Sequence, residues 1–383
     1  LGALAGDALT TGLGNTALGM KALSTDTTGR YNVAIGHGTL ENQSFAGSEG
    51  VYNVAVGYAA GNLISTAIRS TLVGGNAGSS ITTGQENTFI GYTAGANTTI
   101  GNKNVAIGGE AMVTNVAGDC NVAVGIESLK MLSSAVTADM YNAALGHRAG
   151  MSVTVGERNT LVGALAGSSL STGNYNTALG FQALQAEDTH SRNTAVGYNA
   201  LAAQNAGTDA YNTAVGFQAG DAISTGILNT LIGGDAGGAV STGSRNVAVG
   251  YEALLTEDTG SRNVAVGEGA LRLLNYNGNG YNVAVGYDAG TTLSTGLVNT
   301  LIGGLAGTAL TTGGDNIAIG YAALKTEDAH GKNIAIGVQA LEDQDAGADA
   351  YNIAIGHQAG RDVTTGRFNV LVGAETGDAL TSG

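Results

Sequence analysis

The sequence predicts an all-β fold, a parallel β-solenoid (β-roll or β-helix) of about twenty-one coils, on three observations. One five-residue motif recurs along the whole chain at a short, nearly constant step. Two of its positions never change in chemical character. Glycine supplies 64 of 383 residues while proline and tryptophan supply none, which is not the composition of an ordinary globular domain.

The motif is Asn-x-(Ala/Leu)-(Val/Ile/Leu)-Gly. Its Asn stands at Asn15, Asn32 and Asn53, gives way once to Ser70, and resumes from Asn87 to Asn369. The common step is 17 residues; steps of 21 follow Asn32 and Asn121, and steps of 19 follow Asn193, Asn263 and Asn333. Three steps of 17 and one of 19 close a super-repeat of 70, marked by Tyr141, Tyr211, Tyr281 and Tyr351. The block from Asn53 to Asn142 holds five coils where the later blocks hold four.

A short segment of alternating character that returns every 17 residues reads as one rung of a parallel ladder, each coil hydrogen-bonding to the next. The Gly that closes the motif permits a positive φ or close backbone approach at one corner. Thr-Gly pairs such as Thr225-Gly226, Thr242-Gly243 and Thr295-Gly296 mark a second corner. The repeated Asn side chains are expected to bond to their equivalents one coil above and below, as amide ladders do in cross-β stacks. Asn212, Val215, Gly216, Asn229, Ile232, Gly233, Asn246, Val249, Gly250, Asn263, Val266 and Gly267 represent this structural ladder.

In Asn246-Val247-Ala248-Val249-Gly250 the alternation sends Val247 and Val249 to one face and Ala248 to the other. The invariant aliphatic position, here Val249, is expected to fill the coil interior. The Ala row, enlarged at Leu72, Phe89, Leu161, Leu231, Leu301 and Leu371, is expected to form a second apolar stripe outside. A strand apolar on both faces is normally covered on both, and with no helical pattern to serve as cover, the expected cover is the same stripe on another copy. A homo-oligomer is the expected assembly, and symmetry alone does not choose three. Stacking at about 4.8 Å per coil would give a rod of roughly 100 Å. Residues 1–383 are read as a single continuous repeat region truncated at both ends, because the chain opens in mid-pattern at Leu1-Gly2 without a signal-like segment.

The formal net charge of −15, with only 15 Lys+Arg, leaves no basic footprint for a phosphate backbone, so no nucleic-acid partner is expected. No run of eighteen apolar residues occurs, so no helical membrane insertion is expected either. Cys120 is the single cysteine and has no metal-ligand spacing with the five histidines.

The acidic pairs Glu187-Asp188, Glu257-Asp258 and Glu327-Asp328 recur 70 residues apart, as do Asp139, Asp209 and, after Asn279, Asp349. Loop carboxylates could hold Ca²⁺. Solvated charges paired weakly with Arg192, Arg262 and Lys332 account for them too, at about 0–1 kcal/mol each, and no cofactor is expected. His37, His147 and His357 share a position with Tyr58, Tyr92, Phe181, Phe217, Tyr251 and Tyr287. They could ligate a metal on a threefold axis, but exchange of one flat ring for another is the simpler reading. His190 and His330 lie in acidic corner loops and are given no role. The extended coils at 202–211, 272–281 and 342–351 are expected to protrude, with Asp209, Asn279 and Asp349 as candidate surface contacts for a receptor or glycan.

The motif resembles the head repeats of trimeric autotransporter adhesins of the YadA type, whose Asn-Ser-Val-Ala-Ile-Gly signature is similar to Asn333-Ile334-Ala335-Ile336-Gly337 and Asn352-Ile353-Ala354-Ile355-Gly356. It also resembles repeats of phage and viral tail-fibre proteins, in phrases such as Asn212-Thr213-Ala214-Val215-Gly216-Phe217-Gln218-Ala219. The resemblance spans essentially the whole chain. It implies a homotrimeric, extracellular element on a virion or bacterial surface, a spacer or receptor-binding head without catalysis. The step of 17 is longer than that of the YadA-type head repeat, and neither membrane-anchor strands nor stalk heptads are present.

The expected function is therefore that of a structural fibre shaft or adhesive head. The alternatives are an ice-binding solenoid, suggested by Thr at Thr16, Thr71, Thr88, Thr160, Thr177, Thr194, Thr213, Thr230 and Thr300 but interrupted by Val and Ile, and a solenoid enzyme of the acyltransferase or polysaccharide lyase class. No Gly-x-Ser-x-Gly elbow or recurring Ser, His and Asp constellation supports catalysis, and 17 is not a multiple of the hexapeptide period of solenoid acyltransferases.

Overall fold

In the computed structural model, which describes residues 2–47 and 50–382, each of the twenty-one motifs forms a three-residue strand, from Thr16–Leu18 to Val370–Val372. Left-handed backbone limits each strand on both sides. The motif Gly turns the chain, as at Gly233 (φ 136°) and Gly250 (φ 140°), and the residue before the Asn is left-handed as well, as at Tyr211 (φ 52°) and Arg245 (φ 61°). For a residue with a Cβ that conformation costs roughly 1–2 kcal/mol. Hydrogen bonds to the adjacent coil hold it there, for example Arg245 N–H to the Ile227 carbonyl at 3.0 Å.

The chain divides into two compact units, Leu1–Ser191 and Arg192–Gly383. Within the first, ten motif strands from Thr16–Leu18 to Thr177–Leu179 pair in parallel, each in register with the next, as in Ala144↔Leu161 and Leu161↔Ala178. Within the second, eleven strands from Thr194–Val196 to Val370–Val372 do the same, as in Val215↔Ile232, Ile232↔Val249 and Val249↔Val266. No helix occurs among the described residues. The long coils add a little pairing of their own: Gly118–Asp119 with Ala138–Asp139, and single bridges Arg30↔Gly50 and Ser261↔Asn279.

The strand faces are reversed from the expectation. Ala248, Ala265, Leu72, Phe89, Leu161, Leu231 and Leu301 are fully buried, so the Ala row lines the lumen. Val215, Val249 and Val266 are half-buried on the outside, and their equivalents Ile232 and Leu145 are 40% and 51% exposed. The Asn decides this. It is buried, and period-two alternation then puts the residue two positions later inside and those one and three positions later outside.

Most of the buried Asn side chains clamp three backbone segments; Asn333, whose Nδ2 has no partner, is an exception. Asn229 Oδ1 accepts the N–H of Asn246 at 2.9 Å, and Asn229 Nδ2 donates to the carbonyl of Gly243 at 2.9 Å. Asn246 repeats the pattern with Asn263 N–H at 3.0 Å and the Gly260 carbonyl at 2.8 Å. The ladder therefore runs mainly from side chain to the next coil's backbone; direct amide-to-amide bonds, such as Asn159 Nδ2 to Asn142 Oδ1 at 3.1 Å, supplement it. Ser70 keeps one half of the clamp poorly, with Asn87 N–H 3.4 Å from its Oγ, and has no amide to offer the Gly84 carbonyl.

The super-repeat of 70 is a packing cycle. Two inward positions face one another across the lumen, two and eight residues after the Asn. From Asn246 the pairs run Ala248/Leu254, Ala265/Leu271, Ala284/Gly290 and Leu301/Gly307, and then restart at Ala318/Leu324. The coil with two small residues is filled from both neighbours. A Cβ on Gly290 would lie 2.6 Å from Leu301 Cδ1 and 3.1 Å from Leu271 Cδ2. The motif Gly has a separate reason: a Cβ at Gly250 would overlap the backbone carbonyl of Gly267, so only glycine can stack on glycine in this column.

Two outcomes follow. Leu301→Ala empties the lumen of two coils and should destabilise the protein by about 2–5 kcal/mol in urea unfolding. Ser70→Asn should act in the opposite sense, restoring the missing donor to the Gly84 carbonyl and raising stability by about 1 kcal/mol in the same assay.

Candidate functional site

The most extensive chemical feature is the outward strand face. Its two rows, one and three residues after each motif Asn, contain only Thr, Val, Ile, Leu and a single Ala, with no charge in either unit. Ile232, Ile302, Ile355 and Leu145 are among its exposed members. Aliphatic rows that stay exposed on a flat sheet form a surface of the kind that marks an interaction site.

Two columns of rings flank this face. Five residues after the Asn, His37 stacks on Tyr58 (centroids 5.4 Å apart) and Tyr198 on Phe217 (5.3 Å). His37, His147 and His357 are all exposed there, and the His37 stack fits the ring-for-ring reading. In the column just before the Asn, several cations lie over tyrosine rings of adjacent coils. Arg158 lies over Tyr141 and Tyr175, Arg192 over Tyr211, Arg262 over Tyr281 and Lys332 over Tyr351, at 5.3–6.0 Å from the ring centroids.

These stacks correct the expected pairing of the acidic corners. Arg192 and Lys332 reach forward one coil, to Asp209 and Asp349. Asp209 and Asp349 are thus engaged within the chain, whereas Asn279, their counterpart, is exposed beside Arg262 and bridges to Ser261 through its backbone. The extended coils are anchored from within. Gln204 and Gln344 are buried and accept hydrogen bonds from Asn212 Nδ2 and Asn352 Nδ2, each at 2.6 Å.

The first member of each acidic pair is likewise not a solvated surface charge. Glu187, Glu257 and Glu327 are fully buried. They occupy an inward column eleven residues after the Asn, which elsewhere holds Ile64, Ile81, Leu170, Ile223, Leu293 and Leu310. Glu257 Oε1 accepts the Gly260 N–H at 2.7 Å, and Glu327 Oε1 accepts the His330 N–H at 3.2 Å, each closing a corner turn. Reading that column down the sequence would have aligned these acids with aliphatic residues; reading them beside their neighbours in the chain hid it. Burial pushes the Glu257 carboxyl up to about 7, against the opposing pull of nearby backbone N–H groups, and raises Glu187 and Glu327 in the same direction.

Two corners gather possible metal ligands: Glu187, Asp188 and His190 in the first unit, and Glu327, Asp328, His330 and Asp345 in the second, with ligand atoms within 4.8 Å of one another in each. A polar groove in the first unit is lined by Gln85, Glu86, Asn102, Lys103, Asp119 and Asp139. At its edge the Cys120 thiol donates to Asp139 Oδ1 at 3.2 Å, and burial together with that carboxylate raises its pKa. Among the described residues no helix is long and apolar enough to cross a membrane.

The buried acids make stability depend on pH. Below the ordinary carboxyl value of 4.5, Glu257 is protonated in both the folded and the unfolded chain; between there and about 7 only the unfolded chain ionises. Stability should therefore fall across that window and level off above it. Glu257→Gln, which copies the residue at Gln204 and Gln344 in the same column, should flatten the slope and raise the melting temperature at pH 8.

No family model matches this chain, and no curated protein matches its sequence.

Proposed function

We propose that the protein is a non-catalytic fibre element, a shaft or adhesive head on a virion or bacterial surface, whose copies assemble as a homotrimer through their outward strand faces. The carrying observation is that face. It presents aliphatic rows to solvent although the coil already has a filled lumen, so these residues are not needed for the core of the single chain. Their repetition from Leu18 to Val372 is accounted for by a partner surface that repeats at the same pitch. A second copy of this chain supplies such a surface, and closed symmetry lets every copy use the same stripe. Receptor or glycan contact would then fall to the ring and cation columns beside the stripe, which an assembly through the strand faces leaves accessible.

The same geometry lends some support to the ice-binding alternative, since the first strand position, Thr in nine coils including Thr213 and Thr230, also faces outward. Val and Ile interrupt that row, and thermal hysteresis in solution would be the result that favours it.

Sedimentation equilibrium tests the main proposal. The full chain should sediment at three times its monomer mass of 37.8 kDa. Val249→Asp together with Ile232→Asp should shift it to monomer while circular dichroism stays that of the parent, because neither side chain lines the lumen. A parent protein that is monomeric at tens of micromolar would sink the reading.

A further inference from the structure

We propose that the corner formed by Glu327, Asp328, His330 and Asp345 binds a divalent transition-metal ion, of which Zn²⁺ is the representative. Four ligand atoms from these residues lie within 4.8 Å of one another. Three come from one corner, and Asp345 comes from the following coil. Close spacing of acids alone would not make a site. Here two buried atoms in the cluster, Glu327 Oε2 and His330 Nδ1, have no hydrogen-bond partner. Glu327 is fully buried, and its other oxygen, Oε1, is occupied by the His330 backbone N–H at 3.2 Å. The turn therefore fixes the carboxylate and leaves Oε2 and the imidazole Nδ1 without a hydrogen-bond partner, Nδ1 lying 3.5 Å from Oε1. A cation shared between them would satisfy both.

The super-repeat supplies an internal comparison. At Glu187, Asp188 and His190 the same corner recurs, but Asn205 stands at the position of Asp345. There the imidazole Nδ1 lies 3.0 Å from Glu187 Oε1, a closed hydrogen bond, where the equivalent distance at His330 is 3.5 Å. At Glu257 and Asp258 the histidine position is Gly260, and no imidazole is available. Only the corner at Glu327 combines the histidine with a carboxylate from the next coil.

The donor set selects the class of ion. Ca²⁺ takes six to eight oxygens at about 2.3–2.6 Å, whereas an imidazole nitrogen among carboxylates suits zinc and its neighbours in the first transition row. Ligands at about 2.0–2.2 Å from a tetrahedral zinc lie roughly 3.3–3.6 Å apart, so the observed cluster needs a contraction of up to about 1 Å. Asp328 and Asp345 are exposed and can make it by rotamer change. A bound ion would pin two successive coils together at a corner where the backbone ladder is interrupted by an extended step.

Calorimetric titration of the full chain with zinc chloride tests this, with Co²⁺ as a second probe whose visible absorption reports a nitrogen ligand. The expected result is saturable binding that Asp345→Asn weakens by about tenfold or more, and that His330→Gly also weakens while abolishing the nitrogen signature of Co²⁺. Both replacements copy residues the chain already carries at Asn205 and Gly260, so the fold should survive, as circular dichroism would verify. Absence of saturable Zn²⁺ binding, or binding that neither substitution changes, would overturn the proposal.

Discussion

The fold depends on a buried side-chain amide that recurs in nearly every coil. Asn229 is representative: its oxygen takes the N–H of the next motif Asn and its nitrogen gives to a glycine carbonyl at the far corner. An unpartnered amide at that depth would cost about 1–3 kcal/mol. Partnered, it sets the register, because a slip of one residue would turn every Asn to solvent and every outward aliphatic into the lumen. Strands of only three residues could not specify their pairing so strictly through backbone bonds alone.

Placing the Asn inside has consequences in both directions. Inward, it shares a face with the strand's middle residue, mostly Ala, and the lumen is filled by large residues from either wall, such as Leu254 and Leu271 from one and Leu301 from the other. Outward, it leaves two rows of Thr, Val, Ile and Leu on the surface in every coil. The lumen already holds inward rows two, eight and eleven residues after the Asn. The apolar outer face is thus a by-product of the clamp as much as a feature in its own right, and its uniform lack of charge is what the proposed self-assembly rests on.

The coil count, the strand positions and the motif Gly corner were legible in the sequence because each is a backbone constraint that recurs in every coil. The orientation of the strand was not. Val249 and Ala248 are both apolar, so hydrophobicity could not orient them, and the Asn246 partners that decide the matter lie 14 and 17 residues along the chain. The acidic corners were misread for a related reason. Glu257 was set beside Asp258 and Arg262, its neighbours in sequence, whereas its environment is the column containing Val240 and Leu274. In a solenoid the informative neighbours are those one period away. The proposed metal corner adds a further difficulty: His330 and Asp345 fall in different coils separated by 15 residues, and nothing in the motif marks them as neighbours.

The irregular block between Asn53 and Asn142 shows how such a chain can change length. Its extra coil repeats a packing type already present, since Phe89 stands opposite Gly95 as Leu72 stands opposite Gly78 in the coil before. A Cβ on Gly95 would collide with the Phe89 ring itself. That coil fills its own lumen and requires little from either side. Packing that is satisfied coil by coil lets length vary in whole turns, while the outward rows continue past the insertion without a break. For the proposed interface between copies, preserving the pitch would matter more than preserving any single coil.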